Sequence, residues 1–342
     1  MICAHNIKYF ILILLSLALS GVASAQLVFL VDNVPTGQTY VGGIDQGETA
    51  IAAASDYAVS SISRGPGVAT VGFSHDSSHS DPTGGASRAF ETDITQNSGH
   101  ISYIHDFESF LTGLSFSSID SEMEGDYSDN GNVGEVDIFG DGWVASLAIS
   151  HNWGPLTATV VGGSGNLDLD SIRKNNIDES TSNFETDLTF FTVDLNFTQI
   201  STDDYTIAPF MQVNYLDVSM DEFTENAGAD AGTFNKTERD WITTEFGLRS
   251  SMKLTDALSA RFTLSWEHDL TNDMTEISGE SVAPFNDAGS LEVPIVGENR
   301  IKTFLGIDYY INEQWVITAE VDASASKDNG AFGAAILIGR SF

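Results

Sequence analysis

The sequence predicts an all-β chain, a closed 12-stranded antiparallel transmembrane β-barrel with a short N-terminal helix ahead of it. Three observations carry that expectation. Apolar residues recur at every second position in many short segments. Tight polar turns alternate along the chain with longer acidic stretches. After residue 25 no apolar run is long enough to cross a bilayer as a helix, although aromatic residues are plentiful.

Residues 1–25 read as a cleaved secretory leader. Lys8 supplies a short positive start, Tyr9 to Leu19 an apolar centre, and Val22-Ala23-Ser24-Ala25 the small residues before cleavage ahead of Gln26. The single cysteine, Cys3, falls inside this leader. The mature chain is therefore expected to hold no disulfide and no cysteine-based metal site. Against 49 Asp and Glu stand 14 Lys and Arg, a formal charge of −35. Such a balance repels nucleic acid and bare anionic lipid, so nucleic acid is not expected as a partner.

Residues 26–45 form a short N-terminal segment. Gly47–Ser63 is rich in Ala and Ser and is stopped by Gly65-Pro66, which predicts a helix within residues 46–65. Its 17 residues would extend about 26 Å, close to the apolar height of a barrel. It fits inside a narrow lumen; the plain alternative is a periplasmic linker.

The barrel is expected over residues 66–342. Gly99–Asp106 and Ser109–Ile119 flank the turn Phe107-Glu108, and Gly142–Asn152 and Pro155–Asp168 flank Trp153-Gly154. Phe184–Ile200 and Tyr205–Met220 flank Thr202-Asp203-Asp204, and Arg239–Leu254 and Ala257–Leu270 flank Thr255-Asp256. Asn299–Ile311 and Gln314–Ser326 flank Asn312-Glu313, and Ala331–Phe342 ends the chain. Gly67–His75 supplies the strand that makes the number even. The stretches 76–98, 120–141, 169–183, 221–238 and 271–298 are read as external loops, opposite the short turns.

Alternation assigns the faces. Leu258, Ala260, Phe262, Leu264 and Trp266 share one side and Ser259, Arg261, Thr263, Ser265 and Glu267 the other. Ile242, Phe246 and Leu248 stand opposite Thr243, Glu245 and Arg249. The polar side is expected to line a hydrated or plugged lumen, whereas a soluble sandwich would need it apolar. Trp153 and Trp315 sit beside short turns, and Trp143, Trp241 and Trp266 near the loop ends, as two interfacial belts would place them.

Four inward charges, Glu245, Arg249, Arg261 and Glu267, form a candidate lumen network that either holds the helix or constricts a solute path; satisfying one another is the bland alternative. Asp126, Ser128, Asn130 and Asp137 have part of the ligand spacing of a calcium loop, with Gly131 at the sixth position, but Ser stands third, Asp twelfth, and no helices flank it. An acidic, solvated external loop is the favoured reading of them. His75 and His79 have a metal-like spacing in a Ser-rich stretch with no helix to align them. Glu267-His268-Asp269 at the outer rim suggests a hydrolase, yet His268 shares the face of Trp266 towards lipid headgroups. No cofactor and no metal are expected.

Several ordered blocks resemble the autotransporter β-domain family over about residues 100–342. They are Ala208-Pro209-Phe210-Met211-Gln212-Val213-Asn214-Tyr215, Phe223-Thr224-Glu225, Thr244-Glu245-Phe246-Gly247-Leu248-Arg249, Trp266-Glu267-His268-Asp269-Leu270 and the terminal Gly339-Arg340-Ser341-Phe342. The resemblance implies a 12-stranded bacterial outer-membrane barrel threaded by a helix, for display or secretion of an N-terminal passenger. It further implies insertion by the outer-membrane assembly machinery, which reads the last strand; Phe342, Ile338, Ile336, Ala334 and Phe332 share the face such a signal needs. Arg340 stands where an apolar or aromatic residue is usual. Between the cleavage site and the helix lie only about 20 residues, Gln26 to Asp45, so the passenger is expected to be minimal.

The expectation is thus a non-enzymatic, monomeric outer-membrane barrel whose partners are membrane lipids, lipopolysaccharide and the assembly machinery. A small-solute, porin-like channel is the alternative, and a rim-sited hydrolase a remote one.

Overall fold

The computed structural model describes residues 37–62, 67–80, 88–129, 132–175, 179–226, 231–271, 275–281, 288–293, 299–327 and 329–342. The leader, its cleavage point and the Gly65-Pro66 stop lie outside them.

Twelve strands close into one antiparallel ring. In chain order they are β1 (Val68–Ser80), β2 (Arg88–Asp106), β3 (Leu111–Asp129), β4 (Asn132–Trp153), β5 (Leu156–Asn175), β6 (Glu179–Phe197), β8 (Tyr205–Met220), β11 (Thr237–Thr255), β12 (Leu258–Asp269), β15 (Asn299–Tyr310), β16 (Trp315–Ala325) and β17 (Asn329–Ser341). β7 (Ile200–Ser201) continues the line of β6 after a break. Each strand pairs with the next, and β17 pairs with β1 from Val68↔Ser341 to Ser80↔Asn329, which leaves no open edge. At the long-loop end a small second sheet joins β9 (Phe223–Thr224), β10 (Gly232–Phe234), β13 (Thr275–Ser281) and β14 (Ala288–Val293).

Short turns close the base. Gly154 has φ +77°, a left-handed conformation that suits glycine in the turn between β4 and β5. Glu108 reaches φ 63° without that freedom, and its N–H donates to Asp106 Oδ1 at 2.8 Å, which steadies the turn.

The wall is uneven in height. β2 to β6 have 19 to 22 residues, β12, β15 and β16 only 11 or 12. A tilted strand needs about 9–11 residues to cross the bilayer, so half of each long strand stands above it. Here the structure corrects the sequence reading. Most of 120–141 and 169–183, and both ends of 76–98, are strand, and 221–238 and 271–298 carry the second sheet. The reason is a reversal of polarity along one strand. Low on β3, Leu114 and Phe116 face lipid while Ser115 and Ser117 face inward; higher up, Asp120, Glu122 and Glu124 face outward while Ile119 and Met123 are buried inside. Parity is unbroken, but the apolar side changes where lipid gives way to water.

The same reversal brings carboxylates into register on the outer surface. Asp120 faces Asp141, Asp141 faces Asp168, and Asp168 faces Glu185 across four strands. Like charges directly opposite one another oppose pairing in the absence of counter-ions.

Among the described residues one helix, α1 (Gly37–Ile62), runs ten residues further towards the N-terminus than the sequence suggested. At 26 residues it is about 39 Å long, taller than the apolar band. Ile44, Ile51, Ala54, Ala58 and Ile62 form its buried stripe against inward residues of β2 to β8. Those include Met123, Val136, Ile138, Leu167, Leu169, Phe184, Leu188 and Val218. The interior was expected to be polar on nearly every strand; on the tall side it is dry. Trp241 also departs from expectation, being buried inside the barrel rather than set in an interfacial belt.

Candidate functional site: the lumen and its helix

The direction of α1 follows from its neighbours. Near its start, a Cβ on Gly43 would lie 2.9 Å from Phe184 Cε2 and 3.0 Å from Met220 Sδ, at the long-loop end of β6 and β8. At its finish Ile62 lies beside Gly113, near the base. The chain therefore passes from the outer end of the lumen to the short-turn end before β1 begins.

Two kinds of contact hold the helix. On the tall side they are apolar, with a few hydrogen bonds: Gln46 Nε2 donates to the Ile138 carbonyl at 2.9 Å, and Ser55 and Thr192 share a hydroxyl bond at 2.9 Å. Tyr57 stacks on His100 at 4.2 Å, and its hydroxyl lies 3.0 Å from Thr70 Oγ1. On the low side they are ionic. Lys302 Nζ lies 3.4 Å from Asp56, 3.3 Å from Glu245 and 3.5 Å from Glu267. Arg300 lies 3.1 Å from Glu48 and 3.8 Å from Glu267. Glu48, Ala52 and Asp56 are spaced four apart, so one helix stripe carries both acids towards β15.

All four lumen charges singled out in the sequence face inward, though they are not brought together as one set. Glu245 and Glu267 join Lys302. Arg249 instead forms two bonds to Asp194, at 2.7 and 2.8 Å, and caps the ring of Phe210 at 3.8 Å. Arg261 grips Asp308 at 2.9 Å and Glu320 at 2.8 Å. The first pair reaches the helix through Lys302, and Glu267 reaches it through Arg300 as well; the sequence reading singled out neither cation. The signal is present in the alternation: Ile301, Leu305 and Ile307 are apolar at every second position or its multiple, which turns Arg300 and Lys302 inward. Two further inward carboxylates, Asp76 and Asp322, flank Gly333 across three strands.

A cavity of about 50 Å³ lies beside the helix, touching Glu48, Asp56, Arg239, Glu267, Arg300 and Lys302. A larger one, about 470 Å³, opens at the base among Asp204, Lys253, Arg261, Asp308 and Trp315. At the outer end the segment after β8 folds inward. Phe184, Phe223 and Phe234 stack at 4.4 and 4.8 Å, and Arg173 binds Glu225 through two bonds of 3.0 and 2.9 Å, both side chains 1% exposed.

The remaining candidates are placed as follows. Asp126 and Asp137 lie on β3 and β4, where Asp126 faces Glu135 in a paired ribbon rather than a ligand-wrapping loop. Asn130 and the side chain of Ser128 lie outside the described residues. His268 stacks on Trp266 at 5.4 Å on the outer face, away from the lumen. On β17, Phe332, Ile336 and Ile338 face outward, and Phe342 directly after it is exposed too. Arg340 shares their side and lies over Trp315 at 5.4 Å and Phe342 at 4.9 Å. Cation–π contact lets a charged residue occupy that rim position.

A family model, the autotransporter beta-domain, matches residues 69–322, nearly all of the ring. The chain belongs to the autotransporter β-domain family. Among solved structures it is similar to the translocator domain of the autotransporter NalP from Neisseria meningitidis, with a TM-score of 0.67 and 15% identity, covering 89% of this chain and 98% of that one. It is also similar to the transport unit of the autotransporter AIDA-I from Escherichia coli, with a TM-score of 0.54 and 15% identity, covering 82% and 92%. At such identity these likenesses speak for the fold. No curated protein matches the sequence. The chain is an outer-membrane barrel of autotransporter type.

Proposed function

We propose that this autotransporter barrel displays the chain preceding α1 at the cell surface while α1 keeps the lumen closed, and that it catalyses no reaction. The observation that carries this reading is the direction and grip of the helix. Its first turns stand at the outer end beside Phe184 and Met220, and its last residue reaches the base. A helix that starts at the outer end is the direction that display of the preceding chain requires. Phe332, Ile336, Ile338 and Phe342 on the terminal strand are the face by which the assembly machinery would recognise the barrel; lipid and lipopolysaccharide are its surroundings, and it acts as a monomer.

The experiment is labelling of intact cells. Apart from Cys3 the chain has no thiol. A Thr36→Cys variant treated with a membrane-impermeant maleimide should be labelled without permeabilisation. Labelling only after the outer membrane is breached would overturn the reading.

A porin-like role is favoured by one feature, the acidic low-side wall with Asp76, Asp308, Glu320 and Asp322. With α1 removed these would line an open, cation-preferring passage. Planar-bilayer recording of a variant lacking residues 26–65 separates the two. A plugged barrel gains conductance on deletion; a porin already conducts before it.

A further inference from the structure

The two histidines with metal-like spacing lie on β1, and extended geometry puts them about 13 Å apart. They cannot share an ion. Each instead faces β2 on the outer surface: His75 Nδ1 lies 2.9 Å from Asn97 Oδ1, and His79 Nδ1 lies 2.9 Å from Asp93 Oδ1. At His79 a third group joins, with Glu91 Oε1 3.9 Å from Nε2. One ligand atom from each of His79, Glu91 and Asp93 lies within 4.8 Å of the other two.

We propose that His79, Glu91 and Asp93 form a cell-surface site for a borderline divalent transition metal, Zn²⁺ first among them. The ion would take one imidazole nitrogen and two carboxylate oxygens and leave a position open to water. Ligands about 2.0–2.2 Å from zinc in a tetrahedron stand roughly 3.4 Å apart. Closing from 4.8 Å needs side-chain rotation of an ångström or so, and all three side chains are exposed. The backbone already fixes the array, since His79 and Asp93 are register partners in the β1–β2 pair.

The surroundings favour a cation and the donors select its kind. Asp93 faces Glu124 on β3, Glu124 faces Asp137 on β4, and Glu91 faces Asp126. This row of like charge draws divalent ions to the surface and is relieved by them. Carboxylates alone would suit calcium or magnesium, which take oxygen ligands; the imidazole shifts preference towards zinc, copper or nickel.

The test uses the full barrel refolded in detergent, with folding checked by its gel shift. Zn²⁺ is titrated in competition with a chromophoric indicator. One tight site per chain is expected, weakened at least about tenfold by His79→Ala and by Asp93→Asn, as loss of a ligand demands. His75→Ala should leave it unchanged. Co²⁺ should develop a visible band that His79→Ala abolishes. Equal Zn²⁺ affinity in wild type and His79→Ala, or displacement by equimolar Ca²⁺, would show diffuse carboxylate binding or an ion pair only and overturn the proposal.

Discussion

The Lys302 ammonium lies between the helix and the wall, 3.4 Å from Asp56 on one side and 3.3 Å from Glu245 on the other. It touches α1 and both members of the Glu245–Glu267 pair, whereas Arg300 bridges Glu48 and Glu267 alone, so Lys302 transmits the wall's charge to the plug. Replacing it with Met removes charge-assisted contacts of about 1.5–3 kcal/mol. Lys302→Met should therefore raise the population of displaced helix about tenfold or more. Single-channel recording would show this as openings rare or missing in wild type; a record as quiet as wild type would deny Lys302 that part.

At the outer end, Arg173 and Glu225 are each 1% exposed and bound by two hydrogen bonds. Removing one partner strands the other in a dry site, at a cost of about 3–5 kcal/mol. Glu225→Ala should loosen the segment from Asp221 to Lys236 before the ring itself is affected. Trypsin cleavage at the exposed Lys236 is the readout, and resistance equal to wild type would mean that the aromatic stack alone holds the segment.

Gly47 sets how closely helix and wall approach. A Cβ there would stand 2.9 Å from Val218 Cγ1 and 3.3 Å from Leu188 Cδ2. Gly47→Leu overfills that contact, costing about 1–3 kcal/mol. The effect can be read in a second thiol: a cysteine at Ala54, which is 4% exposed, should resist maleimide in the parent barrel and react in the Gly47→Leu background. Equal protection in both would show that the wall yields instead.

The terminal strand offers a test of assembly. Phe342→Ala should lower the amount of barrel inserted in cells severalfold while leaving refolding in detergent intact, because the aromatic is 75% exposed and packs little within the barrel. Arg340→Phe should insert at least as well as wild type. If Phe342→Ala inserts normally, recognition lies elsewhere.

The ring was legible because the bilayer enforces one rule over every strand near its base, apolar out and polar in. Tyr205–Met220 was placed to the residue, and Asn299–Ile311 within one. The upper parts of β2 to β6 were missed, about half of β2 to β4 and less of β5 and β6, because stretches such as Asp120 to Asp126 look like loop once acids replace Leu114 and Phe116 on the outer face. Parity would have found them: Ile119 and Met123 keep the inward phase. The helix was legible in composition but not in extent, since Gly43 looks like a breaker when the close wall against it is unseen. The lumen charges were legible in orientation, and their partners were not. Pairing such as Arg249 with Asp194 joins residues 55 apart in sequence, and nothing local announces it.

Because much of the dry contact around α1 stands above the lipid, it is bulk solvent that drives the plug home. Its seating should survive a change of detergent, of acyl-chain length or of bilayer thickness, none of which reaches that height. Cooling is the more telling perturbation, since apolar association weakens towards low temperature whereas the ionic bridges to Lys302 and Arg300 do not rest on it.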